Sequence, residues 1–380
     1  MSDNFFGDLS VIGMRGCEKF VDQVDYYLRE WRIHDEDTSF IVTAECPRFG
    51  SGEAKGLLHS SMRGHDVYII SDCFNYGVTY KMYGKEVPMS PDDHFQDLKR
   101  IIAAIGGKAK RITVIMPMLY EGRQHKRSSR ESLDCAIALQ ELVNMGVSNI
   151  VTFDAHDARV SNAIPLTGFD NVRPTYQMIK ALVKNIPDIS LSHDDIMIIS
   201  PDEGAMGRTM YYASVLGLDL GMFYKRRNYA VIIDGKNPIE AHEYLGKDVR
   251  GKDVIVIDDM IASGDSIIDV ARQLKEKGAK RIFFFVSFGL FTNGFEIFDK
   301  AYEEGIFDKC FTTNLIFHPE GLLTKEWYAE VNMCKYVALM IDTLNKERSI
   351  SSLLNPVKKI HTILEAQNKK TQTQQKINIE

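Results

Sequence analysis

At 380 residues the chain exceeds the usual range of a single domain, so two domains are expected. Hydrophobic residues make up 44% and charged residues 26%, and a formal net charge of −6 gives no global attraction to nucleic acid or to an anionic membrane. Any binding of phosphate must therefore be local.

The six cysteines, at positions 17, 46, 73, 135, 310 and 334, form no Cys-x-x-Cys pair, which fits reduced thiols. The N-terminus lacks a basic start followed by an apolar core, and the apolar run from Ile282 to Phe291, broken by Ser287 and Gly289, is too short to cross a bilayer. A soluble, cytoplasmic protein is expected, with no nucleic acid and no membrane among its partners.

In chain order, residues 1 to about 36 carry a helical pattern around Phe20 to Trp31 and no chemical motif, and read as an N-terminal elaboration. Val67–Ile70, Ile112–Met116, Ile150–Phe153, Ile196–Ile199, Val254–Ile257 and Ile282–Val286 read as buried strands alternating with helix-period segments, the pattern of a mostly parallel sheet. Similar lead-ins at Gly107, Gly146 and Gly278, each a helix stop before a strand, hint at two similar halves. After Pro356 one amphipathic turn remains, and the Gln-, Lys- and Thr-rich remainder reads as disordered.

Several loops carry chemistry. Tyr120 to Arg130 holds Arg123, Lys126, Arg127 and Arg130 within eleven residues, a composition that suits a polyphosphate if the cations converge and a solvated basic loop if they do not. His156 follows the Ile150 strand closely enough to reach a cleft and ligate a metal or relay a proton, although a lone histidine is more often structural. Ser200 to Arg208 follows another strand and opens a helix, which suits an anion, a metal or merely a tight turn. Lys225, Arg226 and Arg227 form a charge run that is ordinarily solvated.

The densest signal is Val254 to Ser266: a strand buried on both faces, the acidic pair Asp258 and Asp259 at its end, then a short Ser-Gly loop into a helix ending at Gly278. Such a loop lies at the carboxyl end of a parallel strand, where the free N–H groups of the helix start accept a phosphate. Adjacent carboxylates can take hydrogen bonds from paired hydroxyls, so the stretch describes a sugar-phosphate site; the bland alternative is a strand end and a helix cap.

This stretch resembles the ribose-phosphate signature of the type I phosphoribosyltransferase fold, and with its flanks the chain resembles the ribose-phosphate pyrophosphokinase family from about Arg48 to Asn355. The resemblance implies an α/β protein of two similar phosphoribosyltransferase-like domains with mostly parallel sheets flanked by helices. The implied division is 1–180 with the ATP segments, 181–330 with the ribose 5-phosphate loop, 331–356 packing back on the N-terminal domain, and a tail at 357–380. It implies transfer of the β,γ-diphosphoryl group of ATP to the C1 hydroxyl of ribose 5-phosphate, with Mg2+ as cofactor and a homo-oligomer, commonly a hexamer.

By residue, the resemblance assigns Arg123 and Gln124 to ATP, with Phe49 and Glu53 contacting adenine from a neighbouring subunit. It assigns His156 and Asp202 to metal, and Lys225 and Arg227, in a flexible loop, to the transition state, where His156 also acts. Asp258 and Asp259 take the ribose hydroxyls, and Ser263, Gly264 and Ser266 the 5-phosphate. Four positions depart from the family pattern: Ser51 and His125 each stand in place of an aspartate, Ala262 replaces another, and Asp265 replaces a glycine. An extra carboxylate beside a phosphate is unfavourable, so Asp265 is expected to turn away and cap the helix. These departures motivate a second reading, a catalytically silent regulatory homologue that binds nucleotide and partners an active subunit; a phosphoribosyltransferase is a third.

Overall fold

The computed structural model describes residues 5–32, 38–227 and 239–377, with side chains over 5–32, 38–224 and 243–367. Two compact units divide the chain: Met1–Pro174 with Asn314–Phe317 and Asn332–Asn355, and Thr175–Thr313 with His318–Val331 and Pro356–Glu380.

The first unit is built on a five-stranded sheet in the spatial order Asp8–Gly13, His65–Ile70, Arg111–Ile115, Asn149–Phe153, Gly168–Val172. Every neighbouring pair is parallel. The apolar runs predicted as strands are buried because helices Glu18–Arg32, Pro91–Ile105 and Asp134–Asn144 make the crossovers. Ser90 and Asp93 close a capping box at the start of the second of these helices, with Pro91 in its first turn and Gly106 in the left-handed conformation (φ 62°) at its end. Asp8–Gly13 and Glu18–Arg32 are part of this framework rather than an elaboration: Asp8–Gly13 is a sheet strand in register with His65–Ile70. Its Ser10 and Gly13 hid a strand with a buried centre.

Helix Cys334–Asn345 completes this unit. Arg32 donates to Asp342 (2.5 Å) and Asn345 (2.8 Å), and Arg111 clamps the buried Asp66 through two hydrogen bonds of 2.8 and 2.6 Å while Asn345 donates to the same carboxylate at 2.9 Å. A buried carboxylate is tolerated when its lone pairs are filled in this way.

The second unit carries a seven-stranded sheet in the order Ile239–Leu245, Asp219–Arg227, Ile196–Ser200, Asp253–Ile261, Ile282–Gly289, Lys309–Thr313, Tyr328–Val331. All neighbours are parallel except the first pair, which is antiparallel. Chain order reverses between Ile196–Ser200 and Asp253–Ile261, which makes their carboxyl ends the topological switch point of this sheet. Beneath the Asp253 strand lies an aromatic cluster in which Phe298 stacks on Trp327 (5.3 Å, 22°) and meets Phe291 edge-on.

The C-terminal segment corrects the expectation of disorder: Val357–Ile377 is a helix. Ile360 is buried, and Gln367 donates to the carbonyls of Pro187 (2.9 Å) and Ile189 (3.0 Å). Ile360, Ile363, Leu364 and Gln367 recur at helical spacing, a stripe that the surrounding polar composition masked.

Candidate active site

In the first unit, three loops carry the predicted residues. Pro47–Glu53 is a tight turn, with Phe49 N–H donating to the Glu53 carbonyl (2.7 Å) and Gly52 N–H to the Phe49 carbonyl (2.9 Å). Gly52 has φ 96°, and a Cβ there would lie 2.8 Å from Met82 Sδ in the hairpin Thr79–Met82/Lys85–Pro88. The positive φ favours glycine, while the flexible Met82 side chain could yield to a Cβ.

Arg48 roots the turn. Its guanidinium donates to Asp97 (2.8 Å) and lies 4.6 Å from the Tyr80 ring, and Asp97 also accepts from Arg100 (2.6 Å). Burial nevertheless raises the Asp97 carboxyl above its ordinary range, against the pull of both arginines. Phe49 is left 55% exposed, available for stacking, and Ser51 Oγ donates to Glu53 (2.9 Å), orienting that carboxylate.

The basic loop follows strand Arg111–Ile115. Tyr120 anchors its start by stacking on Phe95 (4.2 Å, 8°) and donating to Asp92 (2.7 Å), after which Glu121 takes a positive φ of 55°. Gln124 Nε2 donates to the Ser132 (2.9 Å) and Lys126 (3.3 Å) carbonyls, so this side chain braces the loop itself. Arg123, Lys126, Arg127 and Arg130 are exposed. On the neighbouring strand Asn149–Phe153, Asp154 turns the chain with φ 40° and Ala155 N–H donates to Asn171 (3.0 Å), which leaves His156 exposed at the carboxyl edge. Its ring lies 5.4 Å from that of His125. Asp157 is gripped by Arg159, whose hydrogen bonds hold its carboxyl well below the ordinary range.

In the second unit, the switch-point loops hold the acidic residues. Asp202 Oδ1 accepts from Gly204 N–H (2.9 Å) and Ala205 N–H (3.1 Å), which shapes the turn into helix Met206–Leu216. On the neighbouring strand, Asp258 Oδ1 accepts from Asp259 N–H (2.8 Å). Burial, then the charge of Asp259, pushes the Asp258 carboxyl well above its ordinary range, while Arg208 pulls it down. Arg208 is almost fully buried and stands 3.8 Å from Asp259. Sequence reasoning passed over Arg208; its position in the first turn of a helix that follows an acidic loop was the available signal.

Gly264, at φ 96°, leads into helix Asp265–Glu276, and no side chain caps that helix. Its first-turn N–H groups therefore lack a side-chain acceptor from the loop, the arrangement that binds an anion. Ser263 is partly exposed and Ser266 exposed at this point. Asp265 does not cap as expected: it is the first helical residue and faces solvent, because the left-handed Gly264 takes the cap position.

Lys225 and Arg227 are predicted in a flexible loop, but their backbone belongs to strand Asp219–Arg227, pairing antiparallel with His242 and Ile239 across a register irregularity at Arg226/Arg227. Their side chains lie outside the described residues.

Two family models match the chain: the N-terminal domain of ribose phosphate pyrophosphokinase over residues 9–146, and the phosphoribosyl transferase domain over residues 169–307. The first begins in strand Asp8–Gly13, so the likeness extends well before Arg48. Ribose-phosphate pyrophosphokinase of Vibrio cholerae is 27% identical over 330 residues, covering 85% of this chain and 95% of that protein. That of Mycoplasma genitalium is 27% identical over 310 residues, covering 79% and 85%. A crystal structure of phosphoribosylpyrophosphate synthetase from Mycobacterium smegmatis shares the fold, with a TM-score of 0.72 at 21% identity over 90% of this chain and 99% of that one. The two models together span most of both units, and the chain belongs to the ribose-phosphate pyrophosphokinase family.

Proposed function

We propose that the protein transfers the β,γ-diphosphoryl group of ATP to the C1 hydroxyl of ribose 5-phosphate, giving phosphoribosyl pyrophosphate and AMP. The observation that carries this is the switch point of the second sheet: an uncapped helix start beside Asp258 and Asp259, a phosphate seat next to a pair of acceptors for ribose hydroxyls. Ser263, Gly264 and Ser266 take the 5-phosphate. Arg123 takes ATP phosphate, Gln124 holds the loop around it, and Phe49 and Glu53 meet adenine, supplied by another copy in a cytoplasmic homo-oligomer.

The C1 hydroxyl oxygen attacks the β-phosphorus and gives up its proton to solvent, while the bond from the β-phosphorus to the α,β-bridging oxygen breaks and that oxygen leaves with AMP. The protein's task is therefore in-line placement and neutralisation of charge. Lys225 and Arg227 supply positive charge to the departing AMP. Among the described residues no group of three or more His, Cys, Asp and Glu converges on one point, so a metal would rest on one or two protein donors, His156 or Asp202, plus phosphate and water oxygens. This sparse set fits Mg2+, which keeps much of its hydration and would shield the phosphate charge. The silent-homologue reading draws on Ser51, His125, Ala262 and Asp265; the relatives reported above carry the name of the enzyme instead.

The test is AMP formation from ATP by purified chain with Mg2+ and ribose 5-phosphate, against a Lys225→Ala control. AMP above the control is expected. No AMP above the control overturns the reading, and pyrophosphate release only on adding a nucleobase points to a phosphoribosyltransferase.

A further inference from the structure

Two imidazoles meet in the first unit where a single one was expected. His125 and His156, from loops that follow neighbouring strands, have ring centroids 5.4 Å apart and planes inclined at 57°. The Nδ1 of His125 is buried and has no hydrogen-bond partner, while its Nε2 lies 3.4 Å from Asp157 Oδ2. Asp157 is itself held in place by Arg159, through Nε at 2.9 Å and Nη2 at 2.5 Å.

A neutral imidazole that presents Nε2–H to a carboxylate carries its lone pair on Nδ1. A buried lone pair with nothing to bind is costly, and it calls for a donor or a cation. A carboxylate fixing one ring nitrogen while the other faces a metal is a recurrent way to orient a histidine ligand. Two imidazoles on one tetrahedral ion, with nitrogen–metal bonds of about 2.1 Å, have ring centroids about 5 Å apart. The observed spacing of 5.4 Å is compatible with such a pair, and the buried, unpartnered Nδ1 of His125 is the second observation that points to a bound ion.

We propose that His125 and His156 form a two-imidazole position selective for a divalent transition ion, of the Co2+, Ni2+ and Zn2+ class, over Mg2+. The proposal rests on the reading of His156 as the metal position, adds a ligand to it, and changes the ion favoured there, which leaves Mg2+ to Asp202 and the phosphate oxygens. Imidazole favours these ions, whereas carboxylate and water favour Mg2+. Because no third protein ligand converges there among the described residues, the remaining coordination positions fall to water or phosphate oxygen.

The test uses the full chain, untagged and stripped of metal, titrated with CoCl2 and separately with MgCl2 by calorimetry and by the visible absorption of imidazole-bound Co2+. Co2+ is expected to bind at least ~10-fold tighter than Mg2+, and both His125→Asp and the volume-matched His125→Gln to weaken Co2+ at least ~10-fold. Asp157→Asn should weaken it by about 10-fold through loss of orientation. Variants are compared only where their melting temperatures match that of the parent. Equal affinities for the two ions, or Co2+ binding and absorption unchanged in His125→Gln, overturn the proposal; either result means that Nδ1 faces a water or that other side chains hold the ion. Metal binding is read without turnover, so absent AMP formation with the Co2+ signal intact counts against the enzyme reading alone.

Discussion

Arg208 Nη2 stands 3.8 Å from Asp259 Oδ2, with side chains 8% and 5% exposed, so a buried cation from the helix after one switch-point strand backs the acidic pair of the neighbouring strand. Truncating one member of a buried pair typically costs ~3–5 kcal/mol, because it strands the remaining charge. At this separation a cost near the lower bound is expected for Arg208→Met. The variant should melt at lower temperature and show a KM for ribose 5-phosphate raised by tenfold or more, with the KM for ATP nearly unchanged. A parallel rise in both constants would show that Arg208 supports the fold and not the ribose seat.

The pH dependence follows from Asp258. Its carboxyl is raised by burial and by Asp259, and in the proposed ribose role the ionised form is the stronger acceptor, since it offers both oxygens and a full charge to the hydroxyls. Affinity for ribose 5-phosphate should therefore rise with pH through a midpoint above the ordinary carboxylate range, and Asp258→Asn should flatten the profile. The stability term has the opposite sign. A group whose pKa is higher folded than unfolded stabilises the fold at low pH and loses that contribution as pH rises through its folded value. Asp157, depressed by Arg159, contributes above the ordinary carboxylate pKa and loses it in acid. Binding measured by calorimetry across pH, on parent and Asp258→Asn, checks the first claim.

Gly264 and Phe298 constrain each other. A Cβ on Gly264 would lie 2.4 Å from the Phe298 ring, and φ at Gly264 is 96°. Gly264→Ala should destabilise by about 1–3 kcal/mol through overpacking and left-handed strain, and should lower ribose 5-phosphate affinity because the first turn shifts. Phe298→Leu in the same chain should restore part of the affinity by opening space, although the backbone strain stays. Affinity no better in the double variant than in Gly264→Ala would show that the ring does not position the loop.

The division between what could and could not be read from the sequence has physical causes. Strands buried on both faces, such as Val254–Ile257, announce themselves as apolar runs, and residues at their ends are then placed by the rule that parallel strands present loops at the carboxyl edge. That placed Asp258, His156 and Arg123. Strand Asp8–Gly13 and helix Val357–Ile377 were missed because their apolar stripes are short and their flanks polar. Contacts across long sequence separations left no local trace: Arg48 with Asp97, Gly264 with Phe298, and His125 with His156 are products of packing.

Asp265 is the last point where expectation and structure part, and it yields the sharpest prediction for binding. As an exposed first-turn residue of an uncapped helix, it places a negative charge at the end of the dipole that favours anions. It thus competes with an incoming phosphate for the same partial positive charge. Replacing it with glycine removes the competitor and lets the backbone N–H groups face the phosphate alone. Asp265→Gly is expected to lower the KM for ribose 5-phosphate several-fold at low ionic strength. Screening over a Debye length of about 10 Å at 0.1 M salt should shrink the gain as salt is added. Steady-state kinetics on parent and variant at two salt concentrations measure both effects. A KM that is unchanged at low salt would mean that the phosphate seats away from this helix start.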